Sequence, residues 1–287
     1  MQNEMKKIIL GAITLLLLAS CNSKKEKIDP FKSLTNLVDS AREEVDSIES
    51  DSVQEIPRPI KADETFDDFL FSFASDINLQ QKRIHFPLIF INGKTVSEIE
   101  QKFWKKDNLF TKQSYYTMIF DKESDMDLMT TTKLKSAKFE WFYLKTNKIK
   151  TYNFKRESNG AWTLNSIALN SIKSNQNESF IEFFHKFASD SIFQRSRIHA
   201  PLTFVTTDPD DDFSILETTM EVNQWFAFSP DLPTVRLSNI NYGQSNSDES
   251  GTKILTMKGL GNGFSNTLYF RRQGKQWEFY KFEDLSN

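Results

Sequence analysis

Residues 64–90 and 178–204 are two copies of one segment. Slid against itself by 114 positions, the chain lays Glu64-Thr-Phe-Asp-Asp-Phe-Leu-Phe-Ser-Phe-Ala-Ser-Asp76 on Glu178-Ser-Phe-Ile-Glu-Phe-Phe-His-Lys-Phe-Ala-Ser-Asp190. The match continues through Gln80, Arg83-Ile84-His85, Pro87-Leu88 and Phe90 against Gln194, Arg197-Ile198-His199, Pro201-Leu202 and Phe204, with 14 of 27 positions identical. A chain repeated in this way builds one supersecondary unit twice, so any fold proposed for it must accommodate two copies of the same apolar surface. The 26 Phe and 5 Trp supply the side-chain volume for that, which excludes wholesale disorder. Charge is nearly balanced, 36 Lys and Arg against 39 Asp and Glu, and this excludes nucleic acid as a partner held by electrostatics.

Each copy opens with a helical period. Phe66, Phe69, Leu70, Phe73, Ala74 and Ile77 recur at helical spacing, as do Phe180, Phe183, Phe184, Phe187 and Ala188, and each series predicts a helix with one wide aromatic face that ends near Asp76 or Asp190. Ser97-Glu-Ile-Glu100 has the pattern of a capping box and predicts a second helix running to Trp104. Strand-like runs follow, among them 139–144 and 254–257. Both copies close on the same hairpin: Tyr152–Arg156 turning at Gly160 into Trp162-Thr-Leu164, and Leu268–Arg272 turning at Gly274 into Trp277-Glu-Phe279. Helices first and antiparallel strands after predict an α+β class. The polar stretch 171–177 divides a first repeat, 63–172, from a second, 173–287.

These halves resemble a family of bacterial lipoproteins of unknown function whose domains have the nuclear transport factor 2-like, or cystatin-like, cone fold. The resemblance is carried by the aromatic helix motif, best preserved at 180–190, by Phe193-Gln-Arg-Ser-Arg-Ile-His199, and by the closing Gly-x-Trp hairpins. It implies two tandem cone-shaped domains, each a curved antiparallel sheet wrapped around N-terminal helices, often with a cavity inside. The first copy departs from the motif at Asn78-Leu-Gln-Gln-Lys82, so the resemblance does not imply two equivalent pockets.

The N-terminus adds a location. Lys6-Lys7, an apolar run from Ile8 to Leu18, and Leu18-Ala-Ser-Cys21 follow the order of a secretory signal too short to span a bilayer. The last four residues resemble a bacterial lipobox, which implies cleavage after residue 20 and acylation of Cys21, the sole cysteine. A lone cysteine forms no intrachain disulfide. The resemblance further implies attachment to the membrane through acyl chains, with no Asp at the second position to retain the protein at the inner membrane, and hence the periplasmic face of the outer membrane. Residues 21–62 read as a tether, within which Phe31, Leu34, Val38, Ala41, Val45 and Ile48 would line one face of a short helix.

No residue set names a reaction. The repeated Arg83-x-His85 and Arg197-x-His199 alternate on a strand and are candidates for ligand contact, while Asp76 and Asp190 are expected to pair with those arginines at the helix-to-strand turn. Trp162 and Trp277 are the matching aromatic pair of the closing hairpins, and with Trp104 and Trp225 they are core residues or the lining of an apolar pocket. His199 with Asp190 is the alternative acid–base pair, of the kind the resemblance implies for hydro-lyases and isomerases of the cone fold. The carboxylates of 208–212 miss the calcium-loop spacing, and Gly259-x-Gly261-x-Gly263 precedes a strand instead of the helix that a phosphate cradle needs. One cysteine and three scattered histidines give no metal set, and no cofactor is expected. The expectation is a membrane-anchored, non-catalytic binding module for a small apolar ligand or an envelope protein, or a scaffold with filled cones.

Overall fold

The computed structural model describes residues 65–287, so Cys21, the signal sequence and the tether with its apolar stripe lie outside the described residues. Among the described residues no helix is long and apolar enough to cross a membrane. The first repeat runs α1 (Phe66–Ser75), α2 (Ile77–Arg83), β1 (Ile84–Asn92), β2 (Thr95–Ile99), β3 (Tyr115–Phe120), β4 (Ser136–Tyr143), β5 (Lys148–Arg156) and β6 (Trp162–Ser171). The second repeats that order: α3 (Glu178–Ser189), α4 (Ser191–Arg195), β7 (Ile198–Asp208), β8 (Asp211–Met220), α5 (Val222–Phe228), β9 (Arg236–Asn241), β10 (Thr252–Gly259), β11 (Ser265–Gln273) and β12 (Gln276–Asp284). The class is α+β, as the sequence predicts.

Local chemistry accounts for the helices. Thr65 caps α1, its hydroxyl accepting from the Asp68 amide at 3.2 Å. Asp76 and Asp190 then stop the first helix of each copy and cap the next: Asp76 accepts from the Asn78 amide at 2.8 Å, and Asp190 from Ile192 and Phe193 at 3.0 and 2.9 Å. Phe66, Phe69, Leu70, Phe73 and Ala74 are all buried, as are Phe180, Ile181, Phe184 and Phe187. Each aromatic face packs on the closing hairpin of its own repeat, with Phe66 edge-on to Phe154 and Trp162 at 5.3 and 4.9 Å, and Phe180 edge-on to Phe270 and Trp277 at 5.3 and 5.6 Å.

Two expectations are corrected. Residues 97–104 are not a helix: Thr95–Ile99 is strand β2, followed by a single 3-10 turn at Gln101–Phe103. The β-branched Thr95 and Val96 follow Asn92-Gly93, whose glycine has φ +59°, so the chain makes a two-residue hairpin and β2 pairs antiparallel with β1. The sheets are also mixed, not purely antiparallel. The last strand of each repeat returns beside the first and runs parallel to it, β6 with β1 and β12 with β7. The repeated proline sits in that first strand, its peptide bond cis at both Phe86-Pro87 and Ala200-Pro201.

The strand orders are β2-β1-β6-β5-β4-β9 in one sheet and β8-β7-β12-β11-β10-β3 in the other. These orders are identical in repeat terms, and at the last place each sheet holds the other repeat's third strand. β3 pairs with β10, and β9 pairs with β4. The two exchanged strands meet where they leave their sheets. The Thr117 and Ile119 amides, on the edge of β3 that faces away from β10, donate to Ser238 Oγ at 2.7 Å and Asn239 Oδ1 at 2.8 Å. Asn239 in turn donates to Glu140 at 2.8 Å. Burial raises the Glu140 pKa above the ordinary carboxylate range.

Because side chains alternate along a strand, Met118 and Phe120 enter one core and Ile119 the other. Past each exchanged strand the chain ties down the other repeat's helix. Tyr242 donates to Asp67 on α1 at 2.7 Å, and Asp121 accepts from Lys253, which also reaches Asn177 at the start of α3 at 2.6 Å. Lys253 is 0% exposed. Removing one partner of such a pair leaves an uncompensated buried charge. Urea unfolding is therefore expected to show Lys253→Ala less stable by about 3–5 kcal/mol, whereas Asp121→Leu with Lys253→Met recovers most of the loss; equal losses in both variants would deny the pair this role.

Candidate functional site

The inside of each cone is set by the register of its parallel strands. In the second repeat Phe204 on β7 stands opposite Phe282 on β12, and the two rings stack at 5.7 Å. Helix α5 drops Trp225 onto them, edge-on to Phe279 at 4.7 Å and to Phe282 at 5.1 Å, and Trp225 is fully buried. That cone is filled by its own side chains.

The same register places Ile167 opposite Phe90 in the first repeat, where Phe282 faces Phe204 in the second. The smaller side chain leaves the floor open. Ile99 pairs with Leu88 as Met220 pairs with Leu202, and counted onward from these positions Trp104 answers Trp225. Trp104, however, follows a 3-10 turn instead of a helix, is half-buried, and lies against Phe86 at 6.4 Å. The result is a cleft of about 490 Å³ with Phe90, Ile99, Trp104, Leu109 and Ile167 inside and Lys105, Lys106, Asp107, Lys112, Lys150 and Arg236 around it. Phe103 stands at its lip, 67% exposed. Arg236 comes from β9, so the site draws on both repeats.

Gln80, identical in both copies and fully buried here, pins the segment that forms one wall. Its Nε2 donates to the carbonyls of Phe73 at 2.8 Å and Asp107 at 2.6 Å, and its Oε1 accepts from the Trp104 indole at 3.0 Å and the Asp107 amide at 3.1 Å. Asp107 is thereby presented to Lys150 at 3.2 Å and to the Tyr152 hydroxyl, while its other oxygen accepts from the Leu109 amide at 3.1 Å. Burial works to raise the Asp107 pKa, but the Lys150 ammonium and these hydrogen bonds outweigh it and hold the carboxyl below its ordinary range. Burial and the neighbouring Asp107 push the Tyr152 phenol far up, so it remains a donor.

The residues singled out by sequence lie elsewhere. Arg83 ends α2, and its guanidinium donates to the Trp162 carbonyl at 3.3 Å. His85 is exposed on β1. Arg197 precedes β7 and bonds Gln276. It borders a separate cleft of about 350 Å³ between α3 and the closing hairpin, lined in part by Phe183, Phe193 and Trp277. His199 sits against Glu278 at 3.1 Å and Arg271 at 3.2 Å. The expected Arg–Asp pairs are replaced by two local solutions: the carboxylates cap α2 and α4 while the arginines bond across to the closing hairpins. His199 and Asp190 are not brought together, since each is engaged by its own partners. Trp162 and Trp277 are buried in the two cores. The carboxylates of 208–212 belong to the β7–β8 hairpin, and among the described residues no group of three ligating side chains could hold a metal ion. Gly259–Gly263 forms the turn between β10 and β11, where a Cβ on Gly263 would lie 2.6 Å from the Asn287 carbonyl.

Sequence reasoning missed the cationic rim. A signal existed, because where the first repeat has Lys105, Lys106, Asp107 and Lys112 the second has Phe226, Ala227, Phe228 and Pro233. Arg236 had none, since its place depends on the strand exchange.

Two comparisons with known proteins bear on this chain. The family model described as a domain of unknown function, DUF4348, matches residues 44–284. A crystal structure of an NTF2-like protein from Bacteroides fragilis is 59% identical, covers 80% of this chain and all of its own, and superposes with a TM-score of 0.75. Among curated proteins none matches.

The geometry of Asp107 fixes a pH dependence. A carboxyl whose pKa is lowered in the folded state contributes stability that is present above its unfolded pKa and lost as pH falls through the folded one. Asp107→Asn is expected to cost about 1–2 kcal/mol near pH 7. Denaturant titrations should show the gap from the parent protein closing below about pH 4. A gap independent of pH would mean that the ionised carboxyl is not what holds Lys150 and Tyr152.

Proposed function

Since the chain belongs to the DUF4348 family and has the NTF2-like fold, we propose that it is a lipid-anchored envelope protein that binds a small apolar molecule in the cone of its first repeat, without catalysis. One observation carries this reading: two copies of one fold differ inside, the second packed shut by Phe204, Phe282 and Trp225, the first left as a cleft of about 490 Å³. A cleft of that size, with an apolar floor of Phe90, Ile99, Leu109 and Ile167 beneath a charged rim, falls in the range of volumes in which small ligands are held. A scaffold that only presents surfaces has no need for one of two repeated cones to stay open.

The absence of catalysis is part of the proposal. It is supported by the placement of the histidines, since His85 is exposed and His199 is engaged by Glu278 and Arg271 outside the cleft. The location follows from Leu18-Ala-Ser-Cys21: acyl chains on Cys21 would hold the protein at a membrane, at the periplasmic face of the outer membrane in this reading. Cys21→Ser is expected to move the protein from the membrane to the soluble envelope fraction, and a variant that still sediments with membranes would remove the anchor.

The cleft is tested by closing it. Ile167→Phe installs the side chain found at the corresponding place in the second repeat. The parent protein is expected to enhance the fluorescence of the neutral apolar dye Nile red, and Ile167→Phe to abolish that enhancement while keeping a cooperative thermal transition. Equal dye binding by both proteins would place any apolar site elsewhere.

A further inference from the structure

We infer that the ligand of the first cone is an amphiphile with an oxyanion head, a carboxylate or a phosphate, whose tail lies on the apolar floor of the cleft; this rests on the small-ligand reading above. Around one cleft stand Lys105, Lys106, Lys112, Lys150 and Arg236 against the single carboxylate of Asp107, in a chain whose formal charge is −3. Two of the five cations are already engaged within the protein: Lys150 by Asp107, and Lys106 by the Ser75 carbonyl at the end of α1.

Lys105, Lys112 and Arg236 have no hydrogen-bonding or ion-pairing acceptor among the described residues. Arg236 is nevertheless held in place, with its guanidinium over the Trp141 ring at 4.5 Å. A guanidinium held over a ring keeps N–H groups available for an oxyanion. Uncompensated positive charge beside apolar walls focuses potential into the cleft instead of into bulk water. The repeats supply an internal comparison. In the closed copy the positions of Lys105, Lys106 and Lys112 hold Phe226, Ala227 and Pro233, so the cations are present only where the cone is open. If these lysines served the solubility of the fold alone, the filled copy would need them equally.

The test uses the exported chain carrying Cys21→Ser and four ligands with ten-carbon chains: decanoate, decyl phosphate, decanol and decyltrimethylammonium, titrated by calorimetry. Decanoate or decyl phosphate is expected to bind at least tenfold tighter than decanol, with decyltrimethylammonium weakest, and the tighter of the two anions identifies the head. The preference should fall below threefold in Lys105→Gln/Lys112→Gln, both exposed positions, and again in Arg236→Gln, with decanol affinity unchanged. Decanol binding as tightly as both anions would overturn the inference and leave the apolar cleft standing. A preference that survives all three substitutions would also overturn it, by placing the head elsewhere. Binding of none of the four would overturn the cleft reading together with this one.

Discussion

A β-strand that ends a sheet has one row of amides without partners, and the architecture of this protein turns on how that row is satisfied at β3 and β9. The Thr117 and Ile119 amides are met by Ser238 and Asn239, side chains of the strand that β3 has displaced. Edges of this sort are ordinarily protected by charges, bulges or short length. Here they cover one another, which works only if both strands cross into the opposite sheet. Each crossing then ties down the other repeat's helix, Tyr242 bonding Asp67 on α1 directly and Asp121 holding Lys253, which reaches Asn177 at the start of α3. The duplication has therefore become a mutual dependence, in which neither sheet has its last strand without the other repeat.

That dependence explains the character of the strands involved. β4 carries Phe139 and Trp141 toward one core and Phe142 toward the other, so Phe-Glu-Trp-Phe-Tyr reads as nearly continuous apolar sequence rather than strict alternation. Such runs belong to strands covered on both faces. Glu140 within the run is tolerated because Asn239 donates to it, and its raised pKa reflects the same enclosure. Polar residues buried at the crossing satisfy edge amides that an apolar side chain would leave unpaired.

The sequence made the repeated parts legible and left the exchanged part dark. Helical spacing located the faces of α1 and α3, and Gly-x-Trp located the closing hairpins, because both signals are local. Asn92-Gly93 was a local hairpin signal too, and it outweighs the capping-box pattern that pointed to a helix at 97–104, since β2 gains a full ladder on β1. The exchange of β3 with β9 leaves no trace in either copy, as the strands have the same length and equivalent neighbours in both arrangements. Arg236 was consequently invisible as a site residue. The arginines, histidines and aspartates of the repeated motif drew notice because both copies have them, yet the arginines, the aspartates and His199 are residues of capping and hairpin contact, and His85 is exposed.

Duplication with exchange also separates two demands that a single cone must reconcile. Filling a cone with Phe204, Phe282 and Trp225 buries large apolar surface and stabilises it, whereas an open cleft forgoes that burial. In the first repeat the segment beside the opening is held by polar means: Gln80 bonds Trp104 and both ends of the Asp107 peptide unit, and Asp107 draws in Lys150 and Tyr152. The second repeat, packed shut, lends β9 to the sheet of the first and with it Arg236, braced on Trp141. A filled cone thus serves as the rigid support from which a cation is set at the mouth of an open one. The residues that distinguish the copies, not those they share, are where binding chemistry can reside.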